Sequence, residues 1–393
     1  MTPLAGMTVV TLEHAIAAPF ATRQLADLGA RVIKIERPGV GDFARAYDER
    51  VGGLASHFVW TNRGKESLTL DVKHPEAQAI LMRLVLEHAD VVVQNLAPGA
   101  AARLGLAYAA LSAVKPPLIV CDISGYGEDG PYRDKKAYDL MIQSEAGFLS
   151  ITGSEHEPAK AGLSIADIAA GMYAYSNILA ALLERGRTGR GQHLDISMLE
   201  SLVEWMSYPL YYAYEGAPPP PRTGASHATI YPYGPFPAGD GKTVMLGLQN
   251  EREWAAFCAK VLMQPELATD PRYVNNSKRS AAREQLRALI VAEFAQLSAD
   301  DVVRRLDDAQ IANAQVNDMK AVWDHPQLLA RRRWLEVDSP AGRIPALLPP
   351  GARPDAAHGA GPVPALGAHT DAILASLGYT TDAIAKLRAA KAV

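Results

Sequence analysis

The sequence predicts an α/β fold with a parallel sheet covered on both faces. Three observations carry this. Short apolar runs alternate with helical patterns through the first third of the chain. The runs are apolar on both faces, as strands buried between helices must be. After about residue 190 the pattern changes, and "GAPPPPRTG" at 216–224 interrupts it.

The elements follow in order. "MTVVTLE" reads as a buried strand, "PFATRQLADLG" as a helix stopped by Gly29, and "RVIKIE" as the next strand. "PEAQAILMRLVLEHA" has the spacing of an amphipathic helix, and "DVVVQNL" and "PPLIVCDISGYG" are the strands after it. A helix is expected through Met172 to Arg185. "GRTGRGQHLDISMLES" then gives a turn, a strand and a helix. Four consecutive prolines make 216–225 a linker. "YPYGPFPAGDGKTVMLGL" reads as a hairpin around Gly-Asp-Gly, helices follow to about Leu306, and Pro340–Pro364 is expected to be an extended return path. A last helix lies in "TDAILASLG". The expected division is 1–215, a linker at 216–225, a small domain at 226–325, and a return segment at 326–393.

Hydrophobic residues make up 48% of the 393 and charged residues 21%, the balance of a globular enzyme. The formal charge of −4 gives no reason to expect nucleic acid or an anionic membrane as partner. Cys121 and Cys258 form no CxxC pair, so neither a metal site nor a disulfide framework is expected. The opening "MTPLAGMTVVTLEH" lacks a basic region followed by an apolar core, and no uninterrupted apolar run reaches membrane-spanning length. The expected setting is reducing and cytoplasmic.

The first strand–helix–strand unit invites a dinucleotide reading, with Glu36 at the right distance to bind a ribose. The turn "EHAIAAPFA" has no glycine, however, and the fingerprint needs glycine for close approach to a pyrophosphate. Glu36 is therefore read as a surface acid at a strand end. No HExxH, P-loop or GxSxG motif occurs. His14 and His227 stand out among the histidines because each sits in a loop beside small residues. In "GLSIADIAAGMYAYSNILAALLERG" a lone carboxylate, Asp167, precedes a long uncharged run. It either caps a helix or does chemistry.

Five stretches together resemble the family III CoA-transferases: "LADLGARVIKIERPGVGDFAR", "NRGKESLTLDVKHPEA", "ISGYGEDGPYRDKKAYD", "RTGRGQHLDISMLES" and "LGAHTDAIL". They occur in the family's order over nearly the whole chain. The resemblance implies a Rossmann-like large domain built from both chain ends, a small α+β domain inserted between them, and an interlocked homodimer. It implies no permanently bound cofactor, with coenzyme A or acyl-CoA as substrate. Asp167 takes the place of the family's nucleophile, which attacks the acyl-CoA thioester to give a mixed anhydride and then an aspartyl-CoA thioester. The macrodipole at a helix N-terminus is expected to favour its charged form. Arg37, Asn95, Arg103 and Lys136 match the family's CoA-contacting positions, and Leu70 and Lys73 match the strip near the adenine.

Tyr138 occupies the place where the family's racemases carry histidine. A phenol with a pKa near 10 is a poor base at neutral pH but can hydrogen-bond an acyl group. The resemblance therefore favours a CoA-transferase over a 2-methylacyl-CoA racemase, with a non-catalytic CoA-binding paralogue as the other alternative. Ile16 replaces the glutamine of formyl-CoA transferase, and that enzyme's glycine run is missing. The implied acceptor is a C4–C5 dicarboxylic acid of the succinyl, mesaconyl, itaconyl, citramalyl or malyl class. His227, Arg45 or Arg222 is expected to hold its distant carboxylate.

Overall fold

The structure, a computed structural model, describes residues 2–354 and 360–393. It divides into two compact units. One comprises 1–146, 161–207 and 326–393, and the other 147–160 and 208–325.

The first unit is built on six parallel strands: β1 (Thr8–Leu12), β2 (Arg31–Glu36), β3 (Lys65–Thr69), β4 (Val91–Gln94), β5 (Ile119–Ser124) and β6 (His193–Ser197). Their order, β3-β2-β1-β4-β5-β6, is that of a Rossmann-type sheet. Such sheets open a crevice beyond the carboxyl ends of β1 and β4, where the order reverses. Residues of opposite parity along each strand bury opposite faces. Val10, Ile33 and Val92 pack with Ile80 and Leu84 of the helix Pro75–His88 and with Ile373 and Leu374 near the C-terminus. Val9, Val32 and Val91 pack with Leu25 of the helix Ala17–Asp27 and with the helix Ile165–Thr188. The C-terminal segment is tied to β3 through Ser67 N–H to His369 Nδ1 (3.1 Å) and Thr69 N–H to Thr370 Oγ1 (3.0 Å).

In the second unit, β7 (Tyr233–Pro237), β8 (Thr243–Gly247) and β9 (Ala312–Gln315) form an antiparallel sheet. Trp254, Phe257, Phe294 and Leu306 from neighbouring helices complete its core. The Asn250 and Ser298 side chains cap two of those helices by accepting from Glu253 N–H and Asp301 N–H.

Four sequence expectations need correction. β3 was not anticipated, because "KESLT" carries buried polar side chains and lacks an apolar run. The stretch after Pro340 is not simply extended: β10 (Trp334–Ser339) and β11 (Gly342–Leu347) form a hairpin, with Val337 and Ile344 buried against Phe58. Glu36 is 2% exposed. Its carboxylate takes two hydrogen bonds from the Arg45 guanidinium, both 2.8 Å, and one from Ser67 Oγ–H at 2.6 Å. The long helix begins at Ile165, so Asp167 lies inside its first turn and not at the cap position. Asp139 supplies the cap from another element, its Oδ1 accepting from Ala166 N–H at 2.8 Å. This helix is long and apolar enough by composition to cross a bilayer, yet Ala166, Ala170, Ala174, Ile178 and Ala181 bury one of its faces in the core.

Candidate active site

A cavity of about 1170 Å³ lies along the carboxyl edge of the parallel sheet. Its walls come from the segments that follow β1 (His14–Ala17), β2 (Glu36, Arg37), β3 (Leu70–Lys73), β4 (Asn95–Pro98) and β5 (Ser124, Gly125). It exceeds the roughly 300–1,000 Å³ usual for small-molecule pockets, so it has room for a large, extended ligand.

Asp167 lines this cavity. Two glycines show why the carboxylate stands where it does. Asp167 and Gly171 are four residues apart, hence on one face of their helix. A Cβ at Gly171 would lie 2.7 Å from Ala17 O, so only glycine lets this face approach the start of the helix Ala17–Asp27 so closely. That approach lets the Ala17 N–H hydrogen-bond to the Asp167 carboxylate. At Gly125 a Cβ would lie 2.4 Å from Ala137 Cβ, so glycine lets the segment carrying Lys136 and Tyr138 close over the end of β5.

The electrostatics of Asp167 reverse the expectation drawn from the macrodipole. Burial and the like charge of Asp139 push its carboxyl up to about 7, and the Ala17 hydrogen bond only partly offsets them. A terminal dipole contributes about 0.3–1 kcal/mol, less than removing a carboxylate from water beside another acid.

Beneath the same loop lies a paired charge cluster. Glu13, Lys34 and Asp42 are at most 1% exposed and Lys65 2%. Glu13 Oε1 accepts from Lys65 Nζ (2.6 Å) and Lys34 Nζ (3.3 Å), and its Oε2 from the hydroxyls of Thr11 (2.8 Å) and Thr22 (2.7 Å). Asp42 accepts from Lys34 Nζ (2.8 Å) and from Ala15 N–H (3.1 Å). Ala15 has φ of 59°, a left-handed conformation that L residues adopt at a cost. The Asp42 bond therefore helps hold the turn between β1 and the Ala17 amide.

The structure brings Asp167, Tyr138, Arg37, Leu70, Lys73, Asn95, Arg103 and Lys136 to this one cavity. Arg37, Lys73, Arg103 and Lys136 are exposed on its walls and make no ion pair among the described residues. Asn95 is committed to the protein: its amide donates to His14 O and accepts from His14 N–H, both at 2.9 Å. Tyr138 is 70% exposed at the end of the helix Asp139–Glu145.

His227 is not brought to this site. It belongs to the second unit, where its Nδ1 accepts from Thr229 N–H and Ile230 N–H and its ring stacks on Tyr233 at 5.2 Å. Its loop uses Nδ1 as an acceptor, which leaves the ring proton on Nε2. Arg222 donates to Ser154 O and Glu155 O, and Arg45 is held by Glu36. Phe43, Tyr47, His57 and Asp139, which sequence reasoning gave no site role, also line the cavity. The spacing of Phe43 and Tyr47 in "GDFARAYD" was the available signal.

A Rossmann-type sheet whose carboxyl edge carries a carboxylate with no cation partner and cations with no ion pair, among the described residues, fits an α/β enzyme for a large anionic substrate. The family model of CoA-transferase family III matches residues 4–370, and the chain belongs to that family. It is an enzyme of the transferase class that takes CoA thioesters as substrates. It is 33% identical over 399 residues to a human succinyl-CoA:glutarate CoA-transferase, covering 100% of this chain and 90% of that protein. It is 32% identical to a succinyl-CoA–D-citramalate CoA-transferase of Chloroflexus aurantiacus, covering 100% and 98%. A CAIB/BAIF family protein from Brucella suis has the same fold, with a TM-score of 0.83 at 35% identity, covering 96% of this chain and 99% of that one.

Proposed function

We propose that the protein moves CoA from an acyl-CoA donor to a C4–C5 dicarboxylic acid, with Asp167 as the covalent nucleophile. The observation that carries this reading is the Asp167 carboxylate itself. Among the described residues it has no cation partner and it lines a cavity with four cations that make no ion pair, and its carboxyl is raised to about 7.

One Asp167 oxygen attacks the thioester carbonyl carbon, the C–S bond breaks, and CoA leaves as thiolate. The thiolate attacks the aspartyl carbonyl carbon of the resulting anhydride and expels the donor acid as a carboxylate. The acceptor carboxylate then attacks the aspartyl-CoA thioester and releases CoA thiolate. That thiolate attacks the acceptor's acyl carbon in the second anhydride, forming the product thioester and regenerating the aspartate. The Ala17 N–H is placed to stabilise oxyanion charge as these intermediates form. Arg37, Lys73, Arg103 and Lys136 supply cations for the phosphates of CoA, and Leu70 an apolar contact near the adenine. Tyr138 donates to the bound acyl group. Its phenol suits that role better than the proton abstraction a racemase requires.

Mass spectrometry after incubation with a panel of acyl-CoAs, with hydroxylamine or borohydride trapping, tests the reading. Adducts on Asp167 are expected, and their absence with every donor overturns it. The small unit is proposed to be the inserted domain and the active form an interlocked homodimer. Large exposed apolar side chains such as Leu183 (73%), Trp205 (46%) and Tyr211 (78%) favour association. Sedimentation gives the test: a monomer at micromolar concentration counts against it. Two buried free cysteines support the proposed cytoplasmic setting.

A further inference from the structure

Four aromatic rings form a row on one wall of the cavity. His14 stacks on Phe43 with centroids 5.3 Å apart, Phe43 meets Tyr47 at 5.8 Å, and Tyr47 meets His57 edge-on at 5.4 Å. Asp42 acts electrostatically on both His14 and Tyr47, Arg37 on His14, and Asp167 and Tyr138 on Tyr47. The row therefore shares the cavity with both Arg37 and Asp167 and ends at His57.

His57 lines the cavity with one ring nitrogen beside an acid. Its Nδ1 is buried without a hydrogen-bond partner and lies 3.8 Å from Asp48 Oδ2. Asp48 accepts from Ser56 Oγ–H (2.7 Å), Ser56 N–H (2.9 Å) and Arg50 N–H (3.0 Å), which hold its carboxyl down at about 2. A permanent negative charge thus stands behind the imidazole. With Nδ1 beside Asp48, Nε2 is the ring nitrogen left for a ligand. None of the residues expected to hold a distant carboxylate lines this cavity; Arg45 is bound by Glu36 and Arg222 by the Ser154 and Glu155 carbonyls.

We propose that His57, backed by Asp48, receives the distal carboxylate of the acceptor acid. The apolar faces of Phe43 and Tyr47 lie alongside its methylene chain, so the row selects an aliphatic dicarboxylate over a monocarboxylate of equal length. This rests on Asp167 being the acylated residue. A site built to pair with a charged group discriminates strongly against an analogue that lacks it.

The test compares glutarate with valerate as acceptor, using one fixed acyl-CoA donor. In the wild-type protein glutarate is preferred. His57→Phe keeps the edge contact with Tyr47 but lowers the glutarate-to-valerate ratio of kcat/KM at least tenfold, and the loss lies mainly in the KM for glutarate. His57→Gln retains an N–H donor and keeps part of the preference. No preference in the wild type, or a ratio within twofold of it in His57→Phe, overturns the proposal, as does an equal loss for both acids. Failure of the Asp167 reading looks different, because no adduct then forms on Asp167 with any donor. If His57→Phe does not fold, the wild-type protein answers with nitrogen-15 histidine NMR in the presence of CoA. One imidazole signal moved by glutarate and not by valerate supports the proposal, while no movement, or the same movement with both, overturns it.

Discussion

Glu13 and Asp167 stand at the same edge of the same sheet and are treated oppositely. Glu13 is wholly buried, which opposes its ionisation, yet Lys65 and Lys34 outweigh that and hold its carboxyl at about 2. Asp167 keeps some exposure to the cavity, has no cation partner among the described residues, and is pushed up to about 7 by its burial and by Asp139. The first carboxylate is spent entirely on structure: with Lys34 and Asp42 it anchors the turn at Ala15. The second keeps a basic oxygen pair unpaired and open to the cavity. The same pairing that makes a buried carboxylate secure makes it unreactive.

Their signs against pH are also opposite. Glu13 is lowered from its ordinary 4.5, so its contribution is full above that value and is lost as pH falls through about 2. Asp167 is raised from 3.8, so ionising it costs stability progressively as pH climbs from about 4 to about 7.

Removing the reactive member has the largest effect on catalysis. Asp167→Ala should lower transfer by at least about 10⁴-fold, in line with losses of other covalent nucleophiles, while the protein stays folded and still binds CoA. Asp167→Asn at pH 8 should be more stable than the wild type, on the order of 1 kcal/mol after allowance for its partial exposure, read as a higher Tm. A lower Tm breaks the comparison. On the structural side, Lys65→Met strands part of the Glu13 charge and should cost about 3–5 kcal/mol in urea denaturation, with partial recovery in the double variant carrying Glu13→Gln.

The cations divide as the acids do. Arg37→Ala or Lys73→Ala, each removing an unpaired cation, should raise the KM for acyl-CoA about tenfold with kcat nearly unchanged and little loss of stability. The smallest effect is expected at Asp139. The acid limb of kcat/KM should fall near pH 7 as Asp167 protonates. Asp139→Asn keeps the Oδ1 acceptor for Ala166 N–H but removes the like charge, so the limb should move down by about half to one pH unit. A limb unmoved by this change means that burial alone raises Asp167.

Much of this was legible in the sequence, and the misreadings share a cause. Buried apolar runs announced β1, β2, β4 and β5, and the residue pattern around Asp167, Tyr138 and Lys136 singled out three residues that line the cavity. β3 stayed hidden because Lys65 and Ser67 are buried through bonds to Glu13 and Glu36, partners far away in the chain. Glu36 passed for a surface acid because Arg45, which covers it, is nine residues on. Asp167 passed for a possible cap because the acid that does cap the helix, Asp139, lies outside the local sequence.

The sequence by itself determined the alternation of strands and helices, the family, and which carboxylate stands at the head of the long helix, because apolar periodicity and short motifs are local properties of the chain. Only the tertiary structure decided that Glu13 is held ionised while Asp167 resists ionisation, that His227 is absent from the cavity lining, and that His57 and Asp167 line one cavity. Those facts depend on burial and on charges from distant segments, and electrostatic energies are set by distance in space and by access to water.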